Sequence, residues 1–218
     1  MPSASQTIAV IDFETTGISP SQGARATEIA AVLVRGGRIV DRYASLMHSG
    51  EWVSPFIEQL TGISNAMLRD APPAAQVMRE VCRFTQGLPL VAHNAAFDRG
   101  FWQAEARLAG QEEDPAHEFA CTVLLSRRLY PHAPNHRLGT LAALHRLPAA
   151  GRAHRALADA EVTAHLLLQI QHDVSKRFVE ELGTQNVDHR LLMALQRSEA
   201  RALGRCVARY GRAEATAP

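Results

Sequence analysis

Residues 27–47, TEIAAVLVRGGRIVDRYASLM, decide the fold. Two runs rich in β-branched and apolar side chains flank Gly36-Gly37, a dipeptide suited to the positive φ angles of a tight hairpin. The pair therefore predicts two antiparallel strands. Upstream, residues 6–13 are again β-branched and apolar and predict a first strand, closed by a turn rich in Gly, Ser and Pro over residues 16–23.

Downstream the pattern changes. PFIEQLTGIS reads as short helical turns, and PPAAQVMREVCRFTQG repeats Val77, Val81 and Phe84 at helical spacing before Gly87. LPLVAH predicts a fourth strand. The spacing of Phe97, Phe101 and Leu108 predicts a helix over residues 96–110, and FACTV is a fifth strand leading into LLSRRLY. After the loop YPHAPNHR come a short helix, LGTLAALHRL, and a long amphipathic one, ALADAEVTAHLLLQI. A hairpin followed by alternating strands and helices predicts an α/β fold, a mixed sheet covered by helices on both faces. From about Ser175 the chain is helical in pattern, with Leu192, Leu195, Leu203, Val207 and Tyr210 near one face. Arg197, Arg201, Arg205, Arg209 and Arg212 decorate the rest, which suits a packed helix with a solvated face, a dimer contact, phosphate binding or a docked partner.

A chain of 218 residues that is 46% hydrophobic suits one well-filled domain. The formal net charge of +1 and the pI near 7.9 exclude no class of partner, because a local basic rim can sit inside a balanced total. Cys82, Cys121 and Cys206 are far apart with no CxxC pair, which argues against a disulfide framework and a thiolate zinc site. MPSASQT lacks the charged region of a signal peptide and no run reaches membrane-spanning length, so a cytoplasmic protein with no membrane partner is expected. Residues 1–6 and 213–218 have the composition of disordered ends.

The chemistry begins in residues 10–17, VIDFETTG. Asp12 and Glu14 leave one face of a strand while Ile11 and Phe13 leave the other. Adjacent carboxylates repel, so either one is protonated or a cation neutralises both, and hard divalent ions prefer such oxygen ligands. Solvated acids at a strand end fit this stretch equally well. In VAHNAAFDRGF, Asp98 falls early in a helix, where the macrodipole alone favours an acid. In HRALADAEVTAHL, His154 precedes a helix, and Asp159 tends toward the face of Val162 and Leu166, so its carboxylate needs a partner.

Taken in order, VIDFETTG, HNAAFD and HRALADA resemble the three motifs of the DEDD exonuclease superfamily, in the branch with His five residues before the last Asp. They are most similar to the proofreading 3′-to-5′ exonucleases of bacterial replicative polymerases, as separate epsilon-type subunits or embedded PolC-type domains. FIEQLTGIS, CTVLLSRRLYP and NHRLGTLAALH share that likeness, which spans about residues 7–170.

The resemblance implies an RNase H-like exonuclease domain over residues 7–173 with a helical C-terminal extension over 174–212. It implies two divalent ions, Mg²⁺ or Mn²⁺, about 4 Å apart on the scissile phosphate. Asp12, Glu14 and Asp159 would hold the ion that binds the attacking water, Asp12 would also reach the second ion, and Asp98 would act on that ion largely through water. His154 would be the general base, since imidazole titrates at about pH 6.5. The small-residue stretch AAGRA before it would let it reach the site only with substrate present. Thr15 and Thr16 would offer hydroxyls and N–H groups, and Gly17 would allow close approach of a nucleotide. Leu60 and Phe97 would stack on or wedge against terminal bases, although both also suit a core. Asn94 would touch the sugar end or orient its loop.

One departure is Thr61, which precedes Gly62-Ile63 where epsilon-type subunits commonly have His, so contacts in that pocket do not carry over. His132 and His136 lack the context of a zinc site. The implied partners are DNA 3′ ends, single-stranded or frayed, from which nucleoside monophosphates are released in proofreading or repair, with a polymerase subunit joined in trans. Two rivals stand beside this: an exoribonuclease trimming RNA ends with the same acids, and a non-catalytic adaptor that binds nucleic acid or a polymerase. The adaptor would tolerate a missing ligand, and none is missing.

Overall fold

The first strand, β1 (Ile8–Thr15), runs through the middle of the sheet and is buried along most of its length. In this computed structural model, which describes residues 6–148 and 151–215, β1 pairs antiparallel with β2 (Ala26–Arg35), and β2 with β3 (Arg38–Leu46). Gly36 and Gly37 turn the hairpin at φ angles of 59° and 77°, the conformation the dipeptide predicts. On its other side β1 runs parallel to β4 (Leu90–Ala92), which pairs parallel with β5 (Phe119–Cys121), giving the order β3-β2-β1-β4-β5. The sheet is mixed, as expected.

Between β3 and β4 lie α1 (Pro55–Thr61), α2 (Asn65–Arg69) and α3 (Ala74–Phe84). Ser54 starts α1 by accepting the Ile57 N–H, Pro55 needs no partner for the donor it lacks, and Gly62 ends the helix at φ 74°. The helix α4 (Ala95–Leu108) joins β4 to β5, and α5 (Thr122–Leu129) follows β5 at once. Then come α6 (Leu138–His145), the long α7 (Ala156–Arg177), α8 (Val179–Leu182), α9 (His189–Arg197) and α10 (Leu203–Ala215).

The alternation of β1 divides the core in two. Ile8 and Val10 face α7, whose Ala156, Ala160 and Ala164 are fully buried and let the helix lie close to the sheet. A larger side chain there would overpack the contact at about 1–3 kcal/mol. Ala9, Ile11 and Phe13 face α3 and α4, against Val77, Val81, Phe101 and Trp102. The C-terminal helices join the first layer through Leu192, Leu195, Leu203 and Val207, the face read from their spacing. Gln196 of α9 also finishes the sheet: its Oε1 accepts the Cys121 N–H at 2.7 Å and its Nε2 donates to the Phe119 carbonyl at 3.5 Å. The edge strand β5 thus meets a side-chain amide where another strand would otherwise pair.

Some limits differ from the sequence reading. The strand β1 continues to Thr15 rather than ending at Phe13, and β5 stops at Cys121 because Thr122 opens α5. The helix α7 runs past residue 170 to Arg177, and α10 continues past residue 212 to Ala215. Gln6 is held in place, its Oε1 accepting the His189 N–H at 2.9 Å. Residues 1–5 and 216–218, expected as disordered ends, lie outside the described residues, as do Ala149 and Ala150 of AAGRA. All three cysteines are free. Among the described residues no helix is long and apolar enough to cross a membrane.

Candidate active site

Strand pairing between β1 and β4 covers Ala9 and Val10, and the acids begin just beyond it. Asp98, in the first turn of α4 and only 2% exposed, takes up the β1 backbone there: its Oδ1 accepts the Phe13 N–H at 3.2 Å. A macrodipole role alone does not describe Asp98, since its carboxylate is turned inward onto the strand. Asp12 and Glu14 share the face of Val10, toward α7, whose first turn carries Asp159.

Glu14, His154 and Asp159 meet: one ligand atom from each lies within 4.8 Å of the other two. The His154 N–H also donates to Asp159 Oδ2 at 3.1 Å, with His154 in the left-handed region at φ 61°. His154 is exposed and stands beside the acids. Its backbone N–H is tied to the first turn of α7.

Asp12 and Asp98 stand outside this tight group and are coupled to it electrostatically. Burial pushes the Asp12 carboxyl well above the usual carboxylate range, and repulsion from Asp98, Asp159, Glu14 and Glu28 adds to it. Burial likewise drives Asp98 up to about 8, against the N–H groups of Phe13 and Asp98 itself, with Glu14 adding. Glu14 is pushed up to about 7 by burial, then Asp159 and Glu28, with Arg155 opposing. Asp159 is raised by burial too, with His154 opposing. Acids in mutual repulsion at one place must hold protons or a cation, and this set of hard oxygen donors fits a divalent ion. A second imidazole of the cleft, His93, is driven down to about 4 by burial and bonds Thr122 Oγ1 through Nδ1 at 2.9 Å. Its Nδ1 is committed to that hydroxyl.

The surrounding candidates divide. The Thr15 hydroxyl donates to the Gly17 carbonyl at 2.6 Å, the Thr16 N–H to the Arg25 carbonyl at 2.9 Å, and the Thr16 hydroxyl accepts the Arg25 N–H at 3.0 Å. The Thr16 N–H expected to meet a nucleotide is therefore used by the turn itself. Gly17 packs closely, because a Cβ there would stand 3.2 Å from the Ala24 Cβ, a contact that Ala24 would have to ease by a few tenths of an ångström. Asn94 is exposed at φ 69° and makes no capping bond with its side chain. Phe97 is half-buried, its ring centroid 4.9 Å from that of Phe101, whereas Leu60 is 39% exposed on α1. Thr61 is buried, its hydroxyl donating to the Ile57 carbonyl at 2.9 Å and accepting the Ile63 N–H at 3.1 Å, so it closes α1.

Two features were not read from the sequence. A cleft of about 910 Å³ opens beside His154 and Asp159, with Asn94, Arg127 and Arg137 on its other walls. Glu28, opposite Glu14 in the β1–β2 register, holds Arg155. Its signal was a lone acid inside the apolar run TEIAAVLV, at a position with no solvent to receive it.

The family model described as Exonuclease matches residues 9–167. The chain belongs to the exonuclease family. That match runs from β1 through most of α7 and contains Asp12, Glu14, Asp98, His154 and Asp159. Among curated exonuclease relatives, "3'-5' exonuclease DinG" of Bacillus subtilis (strain 168) is 40% identical over 165 residues, 76% of this chain and 18% of the relative. The PolC-type DNA polymerase III of the same organism is 36% identical over 193 residues, 88% of this chain and 13% of the relative. The chain thus spans less than a fifth of the length of these two relatives. Exonuclease X, solved in complex with 5′ overhanging duplex DNA, matches with a TM-score of 0.61 at 32% identity, covering 76% of this chain and 91% of that one. The nuclease domain of 3'hExo, a DEDDh family member bound to rAMP, shares the fold with a TM-score of 0.67 at 20% identity, over 79% of this chain and 95% of that one. The RNase H-like sheet that the motifs imply is the one these exonucleases share.

Proposed function

We propose that the chain is a divalent-cation-dependent 3′-to-5′ exonuclease that shortens single-stranded or frayed DNA ends in proofreading or repair. One observation carries this reading: Glu14, His154 and Asp159 lie within 4.8 Å of one another at the end of β1, with Asp12 and Asp98 coupled beside them. The names of the relatives, a 3'-5' exonuclease and a PolC-type polymerase, support the direction of attack and a setting beside a polymerase.

Asp12, Glu14, Asp98 and Asp159 would hold two ions, Mg²⁺ or Mn²⁺, whose charge offsets that of the phosphodiester and favours ionisation of the attacking water. His154 accepts that water's proton and, being exposed, passes it to solvent. The new bond joins water oxygen to phosphorus, and the bond to the 3′ oxygen of the preceding nucleotide breaks. A nucleoside 5′-monophosphate leaves, and the 3′ oxygen of the shortened strand takes a proton from solvent to end as a 3′-hydroxyl. Arg127 and Arg137 place positive charge along the cleft that leads to His154, where the strand's phosphates would lie. Leu60 and Phe97 offer apolar contact to the terminal base, and Asn94 stands free to meet its sugar.

The test is hydrolysis of a 5′-labelled single strand with Mg²⁺ or Mn²⁺, run beside an RNA of the same sequence. A ladder of stepwise-shortened DNA products is expected. No shortened products with any divalent ion defeats the reading, and a ladder from RNA alone replaces DNA by RNA as the substrate.

A further inference from the structure

Glu28 is 4% exposed on β2, directly across from Glu14, and looks at first like one more cation ligand. Its oxygens are already taken. Arg155 Nε donates to Oε2 at 2.9 Å and Nη2 to Oε1 at 2.6 Å, a two-point fork that only a guanidinium makes. The N–H of Ala156, the first residue of α7, donates to Oε2 at 3.0 Å. Glu28 therefore accepts from both the residue before α7 and the first residue within it.

What hangs on that anchor is half the site. The Arg155 carbonyl accepts the Asp159 N–H at 3.0 Å, and the preceding residue, His154, reaches back to Asp159 Oδ2 through its own N–H. Residues 151–154 are otherwise exposed, and the left-handed backbone of His154 is a conformation that needs outside support. Arg152 gives a single long bond, Nη2 to the Gln59 carbonyl at 3.3 Å. The Glu28 fork is the stronger tether, and it ends on the strand whose register fixes Glu14.

We propose that Glu28 and Arg155 are positioning residues, which set where the His154 loop and the first turn of α7 stand against β1. They thereby fix the spacing at which His154 and Asp159 meet Glu14. The same device recurs on the other face of the sheet, where Glu105 of α4 accepts Arg25 Nε at 2.8 Å, Nη2 at 2.9 Å and the Ala26 N–H at 3.0 Å. That pair ties β2 to the helix of Asp98. In each case an arginine and the residue after it close on one buried glutamate, and the helix so held carries one of the distant acids.

The assignment rests on the nuclease reading above, and its test separates the two. Glu28→Gln, Arg155→Gln, Arg155→Lys and the double variant Glu28→Gln/Arg155→Gln are compared with the full chain for kcat and KM on a labelled single strand. Mn²⁺ affinity by calorimetry and Tm are measured alongside. Glu28→Gln and Arg155→Gln should each lower kcat by about tenfold or more, with KM little changed and Mn²⁺ binding weakened. The double variant should be no worse than either single one, and Arg155→Lys, which keeps the charge without the fork, should fall between. Folded single variants with unchanged kcat and Mn²⁺ affinity overturn the proposal, as do losses that multiply in the double variant. Should Glu28→Gln melt below the assay temperature, Arg155→Lys carries the test on the same criteria. If the parent hydrolyses nothing, the nuclease reading fails, and the Mn²⁺ affinities still decide whether the fork shapes the site.

Discussion

The Phe13 N–H of β1 donates to Asp98 Oδ1 of α4 at 3.2 Å, which fastens the acid of the second motif to the strand that bears the acids of the first. This contact makes Asp98 both a support of the fold and a candidate ligand, and the two roles come apart on substitution. Asp98→Asn keeps an acceptor for Phe13 and loses the charge, so Tm should hold while hydrolysis drops by about a hundredfold. Asp98→Ala leaves the N–H without a partner and should cost about 1–3 kcal/mol of stability as well. Thermal melting beside the strand-shortening assay checks both.

The raised carboxyls give a signed dependence on pH. A folded-state value above the unfolded one means the folded chain keeps protons that the unfolded chain releases. Stability from Glu14 is fully present below its ordinary 4.5 and is lost as pH rises through about 7. For Asp98 the window runs from 3.8 to about 8. Added Mn²⁺ competes with those protons, so it should raise Tm more at about pH 8.5 than at about pH 6 and should release protons on binding. Calorimetry in two buffers of different ionisation enthalpy measures that release; proton uptake would reverse the account of these acids.

His154 is expected to act on a proton and not to hold the ion. Its replacement by alanine should leave Mn²⁺ affinity within about threefold while lowering kcat by about 10²–10⁴. Calorimetric titration of the variant, set beside its turnover, checks the separation.

Arg127 and Arg137 should act on affinity through the strand's phosphates. Replacing both by Gln should raise KM with little change in kcat. It should also flatten the dependence of log KM on log salt by about 1.4 for a single strand. Assays over a range of NaCl concentrations read the slope directly.

Much of this was legible in the sequence because it depends on local periodicity. The two-residue spacing of Asp12 and Glu14 puts both on the face of Val10, and the turn chemistry of Gly36-Gly37 sets the hairpin of β2 and β3. Pairings across the chain were not legible. Glu28 and Arg155 are 127 positions apart, and Phe13 and Asp98 are 85, so nothing in either stretch names its partner. Glu105 has a weak signal, an acid one turn after the buried Phe101 on the apolar face of α4. At Thr15–Gly17 the hydroxyls and N–H groups suit a ligand, and the fold uses several of them itself, which local sequence does not reveal.

The most direct measurement is the anomalous scattering of Mn²⁺ in crystals of the chain grown with a single strand whose scissile phosphate resists hydrolysis. Two peaks are expected, one against Asp12, Glu14 and Asp159 and one against Asp12 on the side of Asp98, with the His154 imidazole bonded to neither. An absence of density, or one ion gripped by Glu14, His154 and Asp159 together, would contradict the account.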